Sequence, residues 1–385
     1  MIKRIFKIIK NVLFSVLFFA VLLAVLAELS YPLRFPNDDG IEHISGFYAL
    51  DENTLNVAFV GSSAFYRMCN TTVIYNEKGY TSYNYTAPAF PFEITTDAIK
   101  EIKKTQDPDL FVVDLRRFYQ QIAERDAGYY DNENFVAGRL SFYNRIINNM
   151  PVSFRRFAMT EKVIPELIKE NEAFDWQFEF RRTHDNWKTV SFKELKNYIK
   201  GRLQKEKTKE LHKSEYLSTS SRRKVVHNNE PNIAGFKKAV TLTEEQLKPL
   251  NEIINYAKKT DTEVLFVLAP YPITEESFAY EVFLEDYIKK QDMNLLNFNR
   301  LYKQAGIDFY SDFYDNKHLN ILGSYKCSKY LAKYFEDNYS FKPLELTDAQ
   351  ADEWKSAYAK WWKDKGENGI EKIKKRCKID KENEG

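Results

Sequence analysis

Short apolar runs alternate with longer amphipathic stretches from residue 56 onward, and this alternation constrains the fold more than any other feature of the chain. Most of the runs are nearly continuous in apolar residues, which is typical of strands that are covered on both faces, and the second run is the weakest. The runs lie at residues 56–60, 80–85, 109–115, 263–269 and 294–298. Strands that alternate with helices predict an α/β domain built on a mainly parallel, five-stranded sheet.

The alternation stops between about residues 118 and 239. This interval is rich in Arg, Lys, Glu and aromatic residues at helical spacing, and it has few strand-like runs. We therefore predict a helical insertion into the domain. Within the insertion, residues 200–224 are highly charged and poor in apolar side chains. They predict a solvated helix or a mobile loop in preference to a binding patch.

The first thirty residues predict a membrane anchor. Basic side chains near the amino terminus precede a run without charge from residue 12 to residue 27. A helix needs about 20 apolar residues to cross the hydrocarbon layer, and this segment approaches that length. A cleavable signal peptide is the alternative, but residues 24–27 match a small-x-small cleavage site poorly. Because the basic flank comes first, we expect a single-pass cell-membrane protein with its body outside the cytoplasm and the bilayer as a partner.

The carboxyl-terminal region predicts one more amphipathic helix, at residues 346–365, followed by a charged tail from Glu367. Its aromatic residues lie on or near one side: Trp354, Tyr358, Trp361 and Trp362. Aromatics at this spacing favour packing on the domain, and the alternative is a helix that lies at the membrane interface. The predicted organisation is thus an anchor at 1–30, an α/β domain at 31–340, and a helix with a tail at 341–385.

Charge and cysteine content exclude several classes of function. The 57 basic side chains nearly cancel the 55 acidic ones, so the net charge of +2 gives no reason to expect a nucleic-acid partner. No Cys-x-x-Cys pair or Cys/His cluster occurs, so neither a metal nor a cofactor is predicted. Cys69 and Cys327 each follow a candidate site residue, which leaves open either one disulfide or two buried thiols.

The first candidate site is the sequence Gly61-Ser62-Ser63, which directly follows the first apolar run. A Ser at this position lies at the carboxyl edge of a parallel sheet, where open α/β folds bind their ligands. Gly61 permits a sharp turn there. The same residues also suit an ordinary helix cap, in which Ser62 or Ser63 accepts a bond from a free main-chain N–H.

The second candidate is the pair Asp315 and His318, three residues apart and just before a helix predicted from residue 321. This spacing lets the carboxylate accept a hydrogen bond from the imidazole and fix its tautomer, while the other ring nitrogen faces a serine hydroxyl. Asn320 is the predicted cap of the helix. The alternative is a surface His beside an Asp.

Together the two motifs resemble the first and last signature blocks of the SGNH (GDSL-like) hydrolase superfamily. The Ser that precedes Ser63, where most members have Asp, is similar to a membrane-anchored branch that includes the D-alanine transfer protein of teichoic acid modification and alginate-acetylation proteins. The similarity spans residues 56–336. It implies a three-layer sandwich in which Ser63 is the nucleophile, His318 the general base and Asp315 its orienting partner.

The chain departs from this family in its predicted oxyanion donors. No Gly follows the second strand at the usual place, although Asn84 offers a side-chain donor there. No Gly-x-Asn-Asp follows the third strand; Arg116 and Arg117 occur instead and offer positive charge. His184, in the insertion, is a candidate substrate contact because aromatic and basic residues surround it. We expect the other histidines, His43, His212 and His227, to be solvated or capping residues.

The sequence therefore leaves two functions open. The first is an O-acyl esterase or acyltransferase that acts on a cell-surface polymer, and the resemblance implies a membrane-bound O-acyltransferase as its partner. The second is a catalytically degenerate protein of the same fold that binds a polymer or acts as a scaffold.

Overall fold

A sheet of five parallel strands lies at the centre of the chain in a computed structural model, which describes residues 2–30, 41–147, 149–151, 153–167, 216–341 and 344–384 with isolated positions between 188 and 196. The strands are β1 (Val57–Gly61), β2 (Ser82–Thr86), β3 (Leu110–Asp114), β4 (Val264–Leu268) and β5 (Asn294–Asn297). Their spatial order is β2-β1-β3-β4-β5. All four pairings are parallel, so the predicted α/β fold with a parallel five-stranded sheet is confirmed.

Helices pack on both faces of this sheet. In chain order, the α-helices of the described residues are α1 (Ile2–Ser30), which is exposed along its apolar stretch, α2 (Ser63–Met68), α3 (Thr71–Lys78), α4 (Thr95–Ile102), α5 (Leu115–Asp126), α6 (Glu133–Ile147), α7 (Phe154–Leu167), α8 (Glu244–Thr260), α9 (Glu275–Lys290), α10 (Phe298–Leu301), α11 (Ile321–Asn338), α12 (Asp348–Trp361) and α13 (Glu367–Glu384).

Alternate strand residues point into two separate hydrophobic clusters, as the two-residue period of a strand requires. Ala58 and Val60 pack with residues of α4, α5 and α8. Val57 and Phe59 pack on the opposite face with residues of α2 and α11. Because both faces are buried, the strands read as continuous apolar runs in the sequence.

The topology places a switch point at the carboxyl end of β1. β1 pairs with β2 on one side and β3 on the other, so the connections that leave β1 and β2 run in opposite directions across the sheet. A crevice opens at such a point, and ligands of open α/β folds bind there. Ser63 begins α2 directly after β1, at this crevice.

The region predicted as a helical insertion is only partly helical. Residues 118–167 are mostly helical, in α5, α6 and α7. Residues 168–187 and 197–215 lie outside the described residues. Residues 216–240 are irregular, with a turn at 216–218 and one 3₁₀ turn at Ile233–Gly235. Within the stretch predicted as a solvated helix or mobile loop, residues 222–224 are exposed, but the prediction is wrong for Leu217, Ser218 and Thr219, which are buried.

The carboxyl-terminal aromatics pack on the domain, and the predicted charged tail is a helix. Trp354 and Trp361 of α12 are 4% and 0% exposed. A π-helical turn, Trp362–Gly366, leads into α13. Ile370 and Ile373 of α13 are buried in the same cluster as Ile321 at the start of α11. The segment is charged as predicted, and its helical form was not predicted because the helix buries few apolar residues among many charges.

Cys69 and Cys327 are free and buried, so the structure takes the two-thiol alternative for this pair.

At the amino terminus, the stretch Arg4–Leu23 of α1 has a mean hydropathy of 2.1, and its apolar window is fully exposed. It is long and apolar enough to cross a membrane.

Candidate active site

The turn after β1 fixes the direction of the Ser63 side chain. A Cβ on Gly61 would lie 2.2 Å from Cβ of Asp114, so only glycine lets the ends of β1 and β3 approach this closely. Ser62 caps α2: its Oγ accepts from Ala64 N at 3.3 Å and donates to Asp114 Oδ2 at 2.5 Å. Because Ser62 takes the capping role, the hydroxyl of Ser63 is left for another partner.

That partner is His318. Ser63 Oγ lies 2.8 Å from His318 Nε2. On the other side of the ring, His318 Nδ1 lies 3.0 Å from Asp315 Oδ2 and 3.2 Å from Oδ1. The carboxylate is itself held by the main-chain N–H groups of Lys317 and His318, at 2.7 and 2.8 Å. The structure thus brings the three residues predicted for catalysis into one hydrogen-bonded row, Ser63–His318–Asp315.

A short, well-anchored loop presents His318. Phe313 and Leu319 form an antiparallel bridge, and Tyr314 N donates to His318 O at 3.1 Å. Asn320 caps α11 through its Oδ1, which accepts from Leu322 N at 2.9 Å, and its Nδ2 donates to Ser311 O at 2.7 Å. One residue therefore closes the loop and starts the helix, as Asn320 was predicted to do.

Helix α11 joins this loop to α2, the helix that begins at Ser63. Ser324 and Ser328 both donate through Oγ to Met68 O, at 3.3 and 3.2 Å, at the end of α2. Ser328 Oγ also accepts from Asn70 N at 2.7 Å. These bonds fix α2 against α11 and so fix the distance between Ser63 and His318.

The electrostatics of the row suit proton transfer from Ser63. Burial raises the pKa of Asp315, but hydrogen bonds from His318 and from main-chain N–H groups outweigh it and lower the pKa to about 2. Burial lowers the pKa of His318 below its usual 6.5; the Asp315 carboxylate raises it, while Arg116 and Arg67 lower it further. His318 is therefore neutral at pH 7 and its Nε2 can accept a proton.

Two arginines flank the row. Arg116 donates through Nη1 to Lys317 O at 2.7 Å, and its guanidinium lies 4.1 Å from the centre of the Tyr271 ring. Arg67 donates through Nη1 to Ser220 Oγ, and it lies over the rings of Tyr66 at 4.9 Å and Tyr314 at 5.5 Å. Tyr314 in turn stacks on His318, with ring centres 5.4 Å apart.

The other predicted contacts lie elsewhere. Asn84 is fully buried, and its Nδ2 donates to Cys69 O at 2.9 Å and Ser218 O at 3.1 Å, so its amide is not free as an oxyanion donor. Arg117 is paired with Glu124 at 3.0 Å and is not free to stabilise charge at Ser63. His184 lies outside the described residues. Of the predicted cations, Arg116 remains beside the row.

One prediction on the histidines also needs correction. His43 is buried and stacks on Tyr66 with ring centres 4.6 Å apart, so it is neither solvated nor a cap. His227 is exposed, as predicted, and it stacks on Tyr310 with its Nε2 3.2 Å from Asp380 Oδ2. His212 lies outside the described residues.

Arg67, Ser220 and Tyr314 were not predicted as residues of the site. Arg67 lies inside α2, where an arginine is typical of a solvated helix face, and Ser220 lies in the interval predicted as a charged loop. Residues 216–228 run back along the edge of the sheet, and this path brings Ser220 into contact with Arg67. No group of three or more His, Cys, Asp or Glu side chains that could hold a metal ion occurs within the described ranges.

Comparison with known proteins adds no identification. The chain matches no known family model, and no curated protein matches it. What the site can do must be argued from its geometry.

Proposed function

We propose that this chain is a serine-dependent O-acyl esterase or acyltransferase with a three-layer, SGNH hydrolase-like domain. One observation carries the proposal: the Ser63 hydroxyl lies 2.8 Å from a neutral imidazole nitrogen of His318. A nucleophile, a base and a residue that orients the base form a recurring solution for acyl transfer on unrelated folds. The position at the switch point of the sheet supports the same reading.

The proposed reaction has two halves. Ser63 Oγ attacks the carbonyl carbon of an acyl ester while its proton passes to His318 Nε2. The ester C–O bond then breaks, the leaving oxygen takes the proton from His318, and an acyl-serine remains. In the second half, water or a polymer hydroxyl gives its proton to His318 and attacks the acyl carbon; the Ser63 oxygen leaves and takes that proton back.

Asp315 keeps the imidazole in the productive tautomer. Its carboxylate accepts a hydrogen bond from the Nδ1–H of His318, so the lone pair at Nε2 faces Ser63. The same carboxylate stabilises the imidazolium that forms when His318 is protonated. Arg116 and the main-chain N–H of Ser63 are the groups that we assign to the developing oxyanion, because the amide of Asn84 is used elsewhere.

The membrane-type helix α1 supports a place of action at the cell envelope. We propose that the body lies outside the cytoplasm and acts on a surface polymer, such as a teichoic acid or an acylated polysaccharide. A membrane-bound O-acyltransferase is the partner that the family resemblance implies. The alternative is a catalytically degenerate scaffold protein of the same fold.

Labelling with a fluorophosphonate distinguishes the esterase or acyltransferase from the scaffold protein. A fluorophosphonate reacts with a serine only when a neighbouring base activates it. We expect the full chain in detergent to be labelled at Ser63. The Ser63→Ala and His318→Ala variants should lose the label, and Ser277→Ala, a serine at the start of α9, should keep it. A folded protein that is not labelled would support the scaffold instead.

A further inference from the structure

Residues 216–228, which we call the strap, run beside residues 309–321, the base loop that carries Asp315 and His318. Main-chain bonds join the two segments: Val226 N donates to Phe313 O at 2.9 Å, Asn228 N to Phe309 O at 3.1 Å, and Ile321 N to Arg222 O at 2.7 Å. The base loop is therefore paired with a segment that is distant in the sequence, before the loop reaches Asp315 and again where α11 begins.

The side chain of Asn228 adds a bond at Asp315 itself. Its Nδ2 donates to the main-chain O of Asp315 at 3.2 Å. The carboxylate of Asp315 accepts from the main-chain N–H groups of Lys317 and His318 and from the imidazole. The strap thus holds the main chain of the residue whose carboxylate orients His318. A displacement of Asp315 would change that orientation, and with it the 2.8 Å approach of His318 Nε2 to Ser63 Oγ.

The strap reaches this position through a strained turn. Leu217 and Ser218 have φ angles of +48° and +67°, in the left-handed region that residues other than glycine rarely adopt. Strain of this kind persists where surrounding contacts over-determine the backbone, and it clusters at functional sites. Here Leu217 O accepts from Thr71 Oγ1 at 2.6 Å, and Ser218 Oγ accepts from Asn84 N at 2.8 Å. The start of α3 and strand β2 therefore fix the path of the strap.

Helices α12 and α13 also contact the strap. His227 bridges α13 and the base loop: its Nδ1 lies 2.7 Å from Tyr310 O, and its Nε2 lies 3.2 Å from Asp380 Oδ2. Val225 is buried in one hydrophobic cluster with Ile373 of α13. Further contacts are those of Trp361 Nε1 with Ser221 Oγ at 2.9 Å and of Arg223 Nη2 with Asp364 O. Through the strap, the carboxyl-terminal helices are connected to the base loop.

We propose that the strap is a positioning element of the acyl-transfer site, in which Asn228 sets the place of Asp315 and so of His318, and that α13 keeps the strap in place. The inference rests on the proposed function and adds to it residues that touch neither the substrate nor the nucleophile. A chain that loses the contact of Asn228 with Asp315 should keep its sheet and lose much of the activation of Ser63.

Hydrogen exchange of the base loop tests the strap without any turnover. In the Asn228→Ala variant of the full chain in detergent, the two main-chain N–H groups that donate to Asp315 Oδ1 should exchange about fivefold faster, because one hydrogen bond that holds the loop is lost. Asn338→Ala is the matched control. The Asn338 amide also donates to a main-chain oxygen, that of Tyr334 at 2.8 Å, but at the last residue of α11. This variant should leave exchange in the base loop unchanged.

Fluorophosphonate labelling measures the effect on the nucleophile. We expect Asn228→Ala to lower the plateau rate of labelling about fivefold, and Asn228→Ser, which keeps a donor, to recover part of it. Burial, Arg116 and Arg67 lower the pKa of His318, and the bond with Asp315 raises it. Weakening that bond should therefore move the pH midpoint of labelling down. A substitution that only destabilised the fold would lower the melting temperature and leave the midpoint unchanged.

Two results would overturn the strap: unchanged exchange of the base loop in Asn228→Ala, or an equal acceleration in Asn338→Ala. Arg223→Ala gives a second test where Asn228→Ala does not fold, because it changes an exposed side chain that contacts the turn before α13. It should also speed exchange of the base loop, and unchanged exchange there would reject the role of α13 and, in that case, the strap.

Labelling of the parent protein is scored separately from exchange. A labelled parent with unchanged exchange in Asn228→Ala rejects the strap alone. An unlabelled parent with faster exchange in the variant rejects the acyl-transfer function, while the contact between the strap and the base loop stands.

Discussion

The hydroxyl of Ser63 and the Nε2 atom of His318 lie 2.8 Å apart although 255 positions separate the two residues in the chain. The parallel sheet produces this meeting: Ser63 follows its first strand, and His318 lies in the loop that enters the last helix packed against α2. Every functional prediction below depends on that distance.

Replacing Asp315 by Asn tests the role of the carboxylate. Asn is nearly the same shape, but it no longer fixes the Nδ1 proton of His318 or stabilises the imidazolium. We expect the rate of acyl transfer to fall on the order of 10³ to 10⁴-fold with little change in melting temperature. The measurement is the hydrolysis rate of a small acyl ester. A loss of less than tenfold would mean that Asp315 only shapes the loop.

The pH profile reports on His318. Because the folded pKa of His318 lies below 6.5, labelling of Ser63 should rise with pH through a midpoint under 6.5 and stay level from there to pH 8. Burial lowers this pKa and Arg116 adds to the effect, so Arg116→Gln should move the midpoint to higher pH. Labelling rates between pH 4.5 and 8 measure both midpoints. A downward shift in the variant would show that Arg116 does not act on His318 through its charge.

Gly61 is required by the approach of β1 to β3. The Cβ of Ala at this position would lie 2.2 Å from Cβ of Asp114. The backbone beside Ser63 must move to relieve this clash. We expect Gly61→Ala to lower the free energy of unfolding by about 1–3 kcal/mol or more and to slow the labelling of Ser63. Urea unfolding measures the first effect.

The control for Gly61 is Gly138 in α6, where an added Cβ meets no atom within 4 Å. Gly138→Ala should raise stability by about 0.5–1 kcal/mol, because alanine loses less entropy in a helix. Equal effects of the two substitutions would refute the steric argument.

The buried carboxyl group of Glu281 should make the free energy of unfolding depend on pH. Burial raises its pKa to about 8, against hydrogen bonds from Asn297, Tyr119 and Asn299 that lower it. Between about pH 4.5 and 8 the folded state keeps this proton and the unfolded state releases it. Rising pH therefore lowers the free energy of unfolding across that window, by up to about 1.4 kcal/mol per pH unit, and the loss stops above pH 8.

The Glu281→Gln variant should flatten this dependence, because its side chain does not titrate. Urea unfolding at pH 5, 6, 7 and 8 gives the slope, and Glu371→Gln, on the exposed side of α13, is the control. If the free energy of unfolding changed with pH by the same amount in the parent and Glu281→Gln proteins, Glu281 would be ionised in the folded state.

Periodicity predicted the five strands because buried parallel strands leave continuous apolar runs, and it placed Ser63 at the right edge of the sheet. The row with His318 and Asp315 was foreseen from two local motifs, while its catalytic role stays a prediction. The side chain of Asn84 was predicted to be a free donor, but whether a strand residue is free depends on what packs against that face of the sheet. Here the end of α2 and the segment at Ser218 pack there and accept from its amide. Arg67 was missed for a related reason: two of its contacts, Ser220 and Tyr314, lie in segments far away in the sequence.

The distance in sequence between Ser63 and His318 has a consequence for biogenesis. The ribosome makes Ser63 long before His318, and domains form as whole units once their chain is available. In a partly synthesised polypeptide the Ser63 hydroxyl therefore has no imidazole partner. The hydrogen bond between the two side chains forms only after the loop that carries His318 has folded, so on the proposed function an incompletely folded chain carries no activated serine.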